Sequence, residues 1–241
     1  MFTVEERERV RGRLLEMAHA DRRIVAAAEI GALAHGDGDR WSDLDLTFGV
    51  ADGTGVDPVL ADWTSDVTRE FDAAHLFDLP FQTSIYRVFS LPGNLQVDLS
   101  FTPEGDFGAL GPRFTLLFGE TVEREPVPQP TAEHLFGYGA HHAVRARICV
   151  ERGRPWQAEY WISALRDQGL SLASLRHGLD VSYGRGFDRL PAETLALAEA
   201  ALVRSSEREE LDRALRAAID LLLQEAGGLG STLSEQLREL A

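Results

Sequence analysis

Apolar positions set out the first elements before any chemistry is considered. Val10, Leu14 and Met17 recur at helical spacing behind Thr3 and Glu6, a pair three apart that suits a capping box, and together they predict a helix over residues 4–21. Ile24–Ile30 is a short apolar run and reads as a buried strand, and Gly31 to Arg40, rich in Gly and Asp, reads as a loop. In Leu44-Asp45-Leu46-Thr47-Phe48 apolar and polar residues alternate, the period of a strand. Asp57 followed by Pro58 suits a cap and a first-turn proline. Leu60, Trp63, Val67 and Phe71 then mark the apolar face of a second helix ending near His75. Thr83–Leu91 is rich in strand formers, Pro92-Gly93-Asn94 is a turn, and Leu95–Phe101 returns, so a hairpin is expected. On the returning strand Val97, Leu99 and Phe101 point one way while Gln96, Asp98 and Ser100 point the other.

The pattern changes after Glu120. Three prolines between Glu123 and Pro130 read as a linker, and everything beyond has helical periodicity. Helices are expected from Thr131 as cap to Glu151, from Pro155 to His177 and from Pro191 to Arg204. Another should follow a Ser206/Glu209 capping box and end at Gly227-Gly228, and a short last one should follow Thr232/Glu235. The expected fold is therefore an α+β domain with a mixed sheet over residues 1–125, followed by an all-α helical bundle over residues 126–241, without internal repeats.

Composition narrows the function. The 241 residues are 44% hydrophobic and 26% charged, ordinary for a globular protein, but the formal net charge is −15. That balance argues against a nucleic-acid partner, whose phosphates call for a basic surface, and it suits a small cationic ligand. The single cysteine, Cys149, rules out thiolate metal clusters and disulfide scaffolds and reads as a buried, inert thiol. No basic-then-apolar leader opens the chain, and no apolar run reaches the length of a membrane span. A cytoplasmic protein without membrane partners, monomer or homodimer, is the expectation.

The candidate chemistry is carboxylate chemistry. Asp43 and Asp45, two apart at the start of a strand, share one face with Cα atoms roughly 7 Å apart. Asp98 lies on the polar face of a later strand, so neighbouring strands would bring the three acids together. Such a group suits Mg²⁺, a hard ion that takes oxygen ligands and leaves positions for water and phosphates. An Asp-x-Asp at a strand start is also a common surface pair, and the glycines at 31, 36 and 38 also suit plain turns.

Gly31-Ala32, the loop that follows, and Ser42-Asp43-Leu44-Asp45-Leu46 resemble the Gly-Ser…Asp-x-Asp signature of the polymerase-beta-like nucleotidyltransferases. Asp98 in Gln96-Val97-Asp98-Leu99 resembles their third carboxylate. The layout is nearest to that of the aminoglycoside- and lincosamide-modifying antibiotic nucleotidyltransferases. The specific motifs cover residues 24–48 and 94–101. The resemblance implies Mg²⁺-dependent transfer of a nucleoside monophosphate from ATP or another NTP to a hydroxyl of a small acceptor, an antibiotic-like amino sugar or lincosamide among the candidates. Asp43 and Asp45 would hold both metals, and Asp98 the catalytic metal while helping to take the acceptor proton. Gly31 and the loop through Ser42 would lie against the donor phosphates, and the helical domain would close over the acceptor.

Ala32 stands where the family carries a serine, leaving backbone N–H groups to serve the phosphate. His35 is a candidate phosphate donor or an ordinary loop histidine. Asp37 and Asp39 either face solvent or help to hold a cation. In the second half Arg166 and Arg176 are candidate triphosphate ligands or plain surface ion-pair partners, and one of His141 and His142 is expected to pack in the interior. Trp156, Tyr160 and Trp161 suit either core packing or stacking on a base or sugar. A nucleotide-binding protein that no longer catalyses transfer, and an enzyme acting on a protein hydroxyl, are the competing functions.

Overall fold

Thr3 and Glu6 cap each other reciprocally: Thr3 Oγ1 accepts the Glu6 N–H at 3.1 Å and the Glu6 carboxylate accepts the Thr3 N–H at 2.7 Å. This box starts α1 (Val4–Ala20) in the computed structural model, which describes residues 1–36 and 38–240. The strands that follow are β1 (Ile24–Ile30), β2 (Leu44–Val50), β3 (Ala74–Phe81), β4 (Ser84–Leu91), β5 (Leu95–Pro103) and β6 (Phe114–Phe118). They form one sheet in the order β3-β4-β5-β2-β1-β6. β2 and β5 are parallel neighbours and the other pairs are antiparallel, so the sheet is mixed.

Alternation divides the sheet chemically. Leu44, Leu46 and Phe48 of β2 and Val97, Leu99 and Phe101 of β5 face a core closed by Leu14 and Ala18 of α1 and by Val59, Leu60, Trp63 and Val67 of α3 (Val56–Phe71). Fully burying one such large side chain is worth about 1.5–3 kcal/mol, and here the burial fixes which side chains remain for the opposite face. Asp45, Thr47, Asp98 and Ser100 are those remaining side chains.

Three local expectations change. Gly31–Ala34 is a single helical turn, α2, rather than loop. α3 starts at Val56, behind Gly55 with φ 78°, so Asp57 lies inside the first turn rather than capping it, while Pro58 keeps its expected place in that turn. The same helix stops at Phe71, where Asp72 turns left-handed (φ 52°) and sends its N–H back to the Thr68 carbonyl, which leaves His75 on β3.

The chain divides after Pro128 into this α/β unit and an all-helical unit. The second unit holds α4 (Ala132–Glu151), α5 (Pro155–Arg176), α6 (Ala192–Ala200), α7 (Arg208–Ala226) and α8 (Ser231–Leu240). Thr131 caps α4 by accepting the His134 N–H. Gly139 and Gly169 let α4 and α5 approach Leu222 and Leu221 of α7, since an added Cβ would stand 2.6 and 2.8 Å from those side chains. Ser206 and Glu209 form no capping box. α7 begins one residue later than that spacing requires, with Glu207 as an N-cap that offers no side-chain hydrogen bond. α8 likewise begins at Ser231, with Thr232 inside it. Among the described residues no helix is long and apolar enough to cross a membrane.

Arg176 spans the bundle to Glu225, whose carboxylate is buried and also accepts the Thr194 hydroxyl. Removing the arginine strands a buried charge. Arg176→Met should therefore lower unfolding stability by roughly 1–3 kcal/mol in a denaturant titration, allowing for the solvent around the guanidinium. Arg166→Met, which releases only the half-exposed Asp167, should change it by less than about 1 kcal/mol.

Candidate metal centre

Arg7 of α1, almost wholly buried, donates through Nη1 to the carbonyls of Asp39 (2.7 Å) and Ser42 (3.0 Å) and pins the loop that enters β2. Within that loop the Asp39 carboxylate accepts the Trp41 N–H, and Ser42 Oγ accepts the Asp39 N–H at 2.9 Å. The Ser42 hydroxyl thus has a place in the turn itself. Asp37 lies outside the described residues.

The loop delivers Asp43 to the residue before β2, and the parallel register sets Asp45 directly beside Asp98 of β5. One oxygen from each of Asp43, Asp45 and Asp98 lies within 4.8 Å of the others, and all three residues are half-buried. Glu29 of β1 stays outside this group. It pairs in register with Leu46, on the other face, and its carboxylate meets Arg11 Nε of α1 at 2.6 Å.

Gly31 completes the geometry. A Cβ there would stand 2.2 Å from Asp45 Oδ2, and its φ of 77° is left-handed, so only glycine allows this approach. Its N–H donates to the Arg113 carbonyl beyond the β1–β6 ladder. Ala32 is half-buried and His35 is exposed at the end of the helical turn.

Burial and charge both act on this group. Burial pushes the Asp98 carboxyl up from its ordinary value of 3.8 to about 6; a hydrogen bond from Gln96 Nε2 (3.1 Å) opposes the rise and the Asp43 charge adds to it. The donor set is all oxygen, anionic, compact and partly open to solvent, which fits Mg²⁺.

Two further features of this unit were not singled out by sequence reasoning. Tyr86 of β4 faces Ser100 in register, on the triad's side of the sheet, one step from Asp98. Burial raises its phenol pKa, the neighbouring Ser100 hydroxyl opposes that, and the Asp45 charge adds to it. The alternation of Thr83–Leu91 against Leu95–Phe101 could have revealed it. The Arg40 guanidinium lies 4.0 Å over the ring of Trp41, which is half exposed beside Asp43.

Arg166 and Arg176 belong to the helical unit, each in an ion pair, with Asp167 and Glu225 respectively. There His142 packs against Trp161, with ring centroids 5.2 Å apart, and burial lowers its pKa, whereas His141, Trp156 and Tyr160 are exposed.

No protein-family model matches this chain, and no curated protein does. Among solved structures, an aminoglycoside 6-adenyltransferase from Bacillus subtilis aligns over 99% of this chain and 92% of its own, at 11% identity and a TM-score of 0.39. A likeness that faint carries no argument about chemistry, which rests here on the carboxylates.

Gly31→Ala should weaken Mg²⁺ binding by about tenfold or more in calorimetry while the protein stays folded by circular dichroism, because the new methyl displaces Asp45. The raised Asp98 pKa also makes the metal-free protein pH-sensitive. The folded state holds the extra proton, so this contribution is complete below pH 3.8 and lost as the pH rises through about 6. On the order of 1–2 kcal/mol is at stake after allowance for solvent screening. The thermal unfolding temperature without metal should therefore fall as the pH rises from about 4 to about 6. Asp98→Asn should remove that slope, and Mg²⁺ should restore stability to the unaltered protein only.

Proposed function

We propose that this chain transfers a nucleoside monophosphate, AMP from ATP in the leading case, onto a hydroxyl of a small molecule, with Asp43, Asp45 and Asp98 holding Mg²⁺. The observation that supports this reading best is the meeting of three carboxylates from one loop end and two parallel strands within 4.8 Å. Bound there, divalent metal supplies positive charge against the phosphates and lowers the pKa of a coordinated hydroxyl.

In this reading the acceptor oxygen forms a bond to the α-phosphorus of the NTP. The bond from that phosphorus to the bridging oxygen breaks and pyrophosphate leaves. Asp98, whose carboxyl burial holds above its ordinary value, is the group suited to receive the acceptor proton. Gly31 keeps Asp45 in position, and Arg7 keeps the entering loop in position. Acceptors of the aminoglycoside or lincosamide kind are suggested by the sequence resemblance.

The loop favours a second reading as well, a protein that binds nucleotide without transferring it. Ala32 lacks a hydroxyl, Ser42 Oγ is engaged with Asp39, and the Gly31 N–H is engaged with Arg113, so none of these three groups is a ready donor to the phosphates.

Incubation with α-labelled ATP, Mg²⁺ and a panel of hydroxylated acceptors decides between them. Transfer is expected to yield a labelled adduct and pyrophosphate, with Asp45→Asn slower by about 10³-fold or more. Calorimetric ATP binding that depends on the triad, without turnover on any acceptor, would establish the second reading instead.

A further inference from the structure

β3 occupies the end of the sheet order and pairs with β4 along one edge only. Every one of its eight residues, Ala74–Phe81, is exposed. Four are large and apolar: Leu76 is 51% exposed, Phe77 48%, Leu79 53% and Phe81 39%. An edge of this length invites pairing unless charge, proline, a covering element or heavy bulging blocks it. The usual charge block is missing. Asp78 is tied inside its own protomer by Arg87 Nε (2.6 Å) and His75 Nε2 (2.9 Å), and the irregularity in the β3–β4 register lies at the start of the strand, between His75 and Phe77.

Register shows what an occupant would meet. Phe77, Leu79 and Phe81 pair with Val88, Tyr86 and Ser84 and so line one face, leaving Leu76, Asp78 and Pro80 on the other. A second copy running antiparallel through Leu79 would set Leu79 against its own counterpart and Phe77 against the partner's Phe81. Asp78 would meet the partner's Pro80 rather than another carboxylate. Pro80, beside the axis in each copy, offers a carbonyl but no N–H, so it adds no donor to the ladder. The four apolar side chains, each about half exposed, offer roughly 350 Å² per copy before the backbone edge is counted. That is less than the about 800 Å² per partner of a standard interface and places the contact among weak, transient ones.

We propose that β3 is the interface of a homodimer in which two copies join their β3 edges antiparallel about a two-fold axis at Leu79, making one continuous sheet. Such an axis runs perpendicular to the sheet, so both carboxylate triads open on the same side. The affinity is micromolar in order, given the modest area. Each copy carries a formal charge of −15, so added salt tightens the dimer by screening repulsion.

Sedimentation velocity over about 1–200 µM tests this, at roughly 0.1 and 0.5 M salt, with circular dichroism as the folding control. The unaltered protein should show a monomer–dimer equilibrium that shifts toward dimer in high salt. Leu79→Lys should weaken it about tenfold or more with little change in melting temperature, since the residue is exposed. Leu79→Cys should form a disulfide-linked dimer on mild oxidation, whereas Leu76→Cys, on the opposite face and opposite the partner's Gln82, should not; the native Cys149 is buried. These cysteine variants keep the test open if the lysine variant fails to fold. A monomer at every concentration, a dimer indifferent to Leu79→Lys, equal cross-linking through both cysteines, or open-ended aggregation would each overturn the proposal.

Discussion

Like charges held together against their repulsion organise the N-terminal unit. Asp45 and Asp98 are fixed side by side by the parallel β2–β5 register, and Asp43 precedes Asp45 by two residues on the same face. At separations near 4.8 Å and an effective dielectric of about 20, each ionised pair repels by roughly 3–4 kcal/mol. A proton on Asp98, which its burial favours, or a bound cation would relieve this repulsion. A fold that tolerates the first state is prepared for the second.

The strain is borne by apolar packing on the reverse of the same strands. Leu44, Leu46, Phe48, Val97, Leu99 and Phe101 are wholly buried, so a one-residue slip that separated the acids would also expose this row. Phe48, Trp63 and Phe101 contact one another edge-on or tilted, tying α3 to the two strands that carry the acids. Gly31 and Arg7 act at the other end of the same constraint. One removes a methyl that would displace Asp45, and the other holds the loop carbonyls just upstream of Asp43.

Much of this was legible in the sequence, for identifiable reasons. The alternation in Leu44–Phe48 and Leu95–Phe101 is strong because one face is fully apolar, and the Pro-Gly-Asn turn marks the β4–β5 hairpin, so the faces of Asp45 and Asp98 could be read directly. That β2 and β5 are neighbours could not, because a parallel pairing leaves no local signal. β3 was hidden because it is exposed on both faces and contains Asp78 and Pro80; its segment fell between a helix expected to run to His75 and the next strand-like run. β6 is short, and two of its five residues are exposed. The role of Gly31 was read as phosphate approach, whereas its contact with Asp45 depends on strand geometry that sequence spacing does not reveal. The capping spacings at Ser206 and Thr232 do not start helices, because α7 begins at Arg208 behind Glu207 and α8 begins at Ser231.

The central claim, that these three side chains form one divalent-cation site, is tested most directly with Mn²⁺, whose unpaired electrons speed the relaxation of water protons once it is bound. The account predicts saturable enhancement on the unaltered protein, displaced by Mg²⁺, and weakened about tenfold or more by each of Asp43→Asn, Asp45→Asn and Asp98→Asn in folded protein. Equal Mn²⁺ binding by the unaltered protein and all three variants would contradict it.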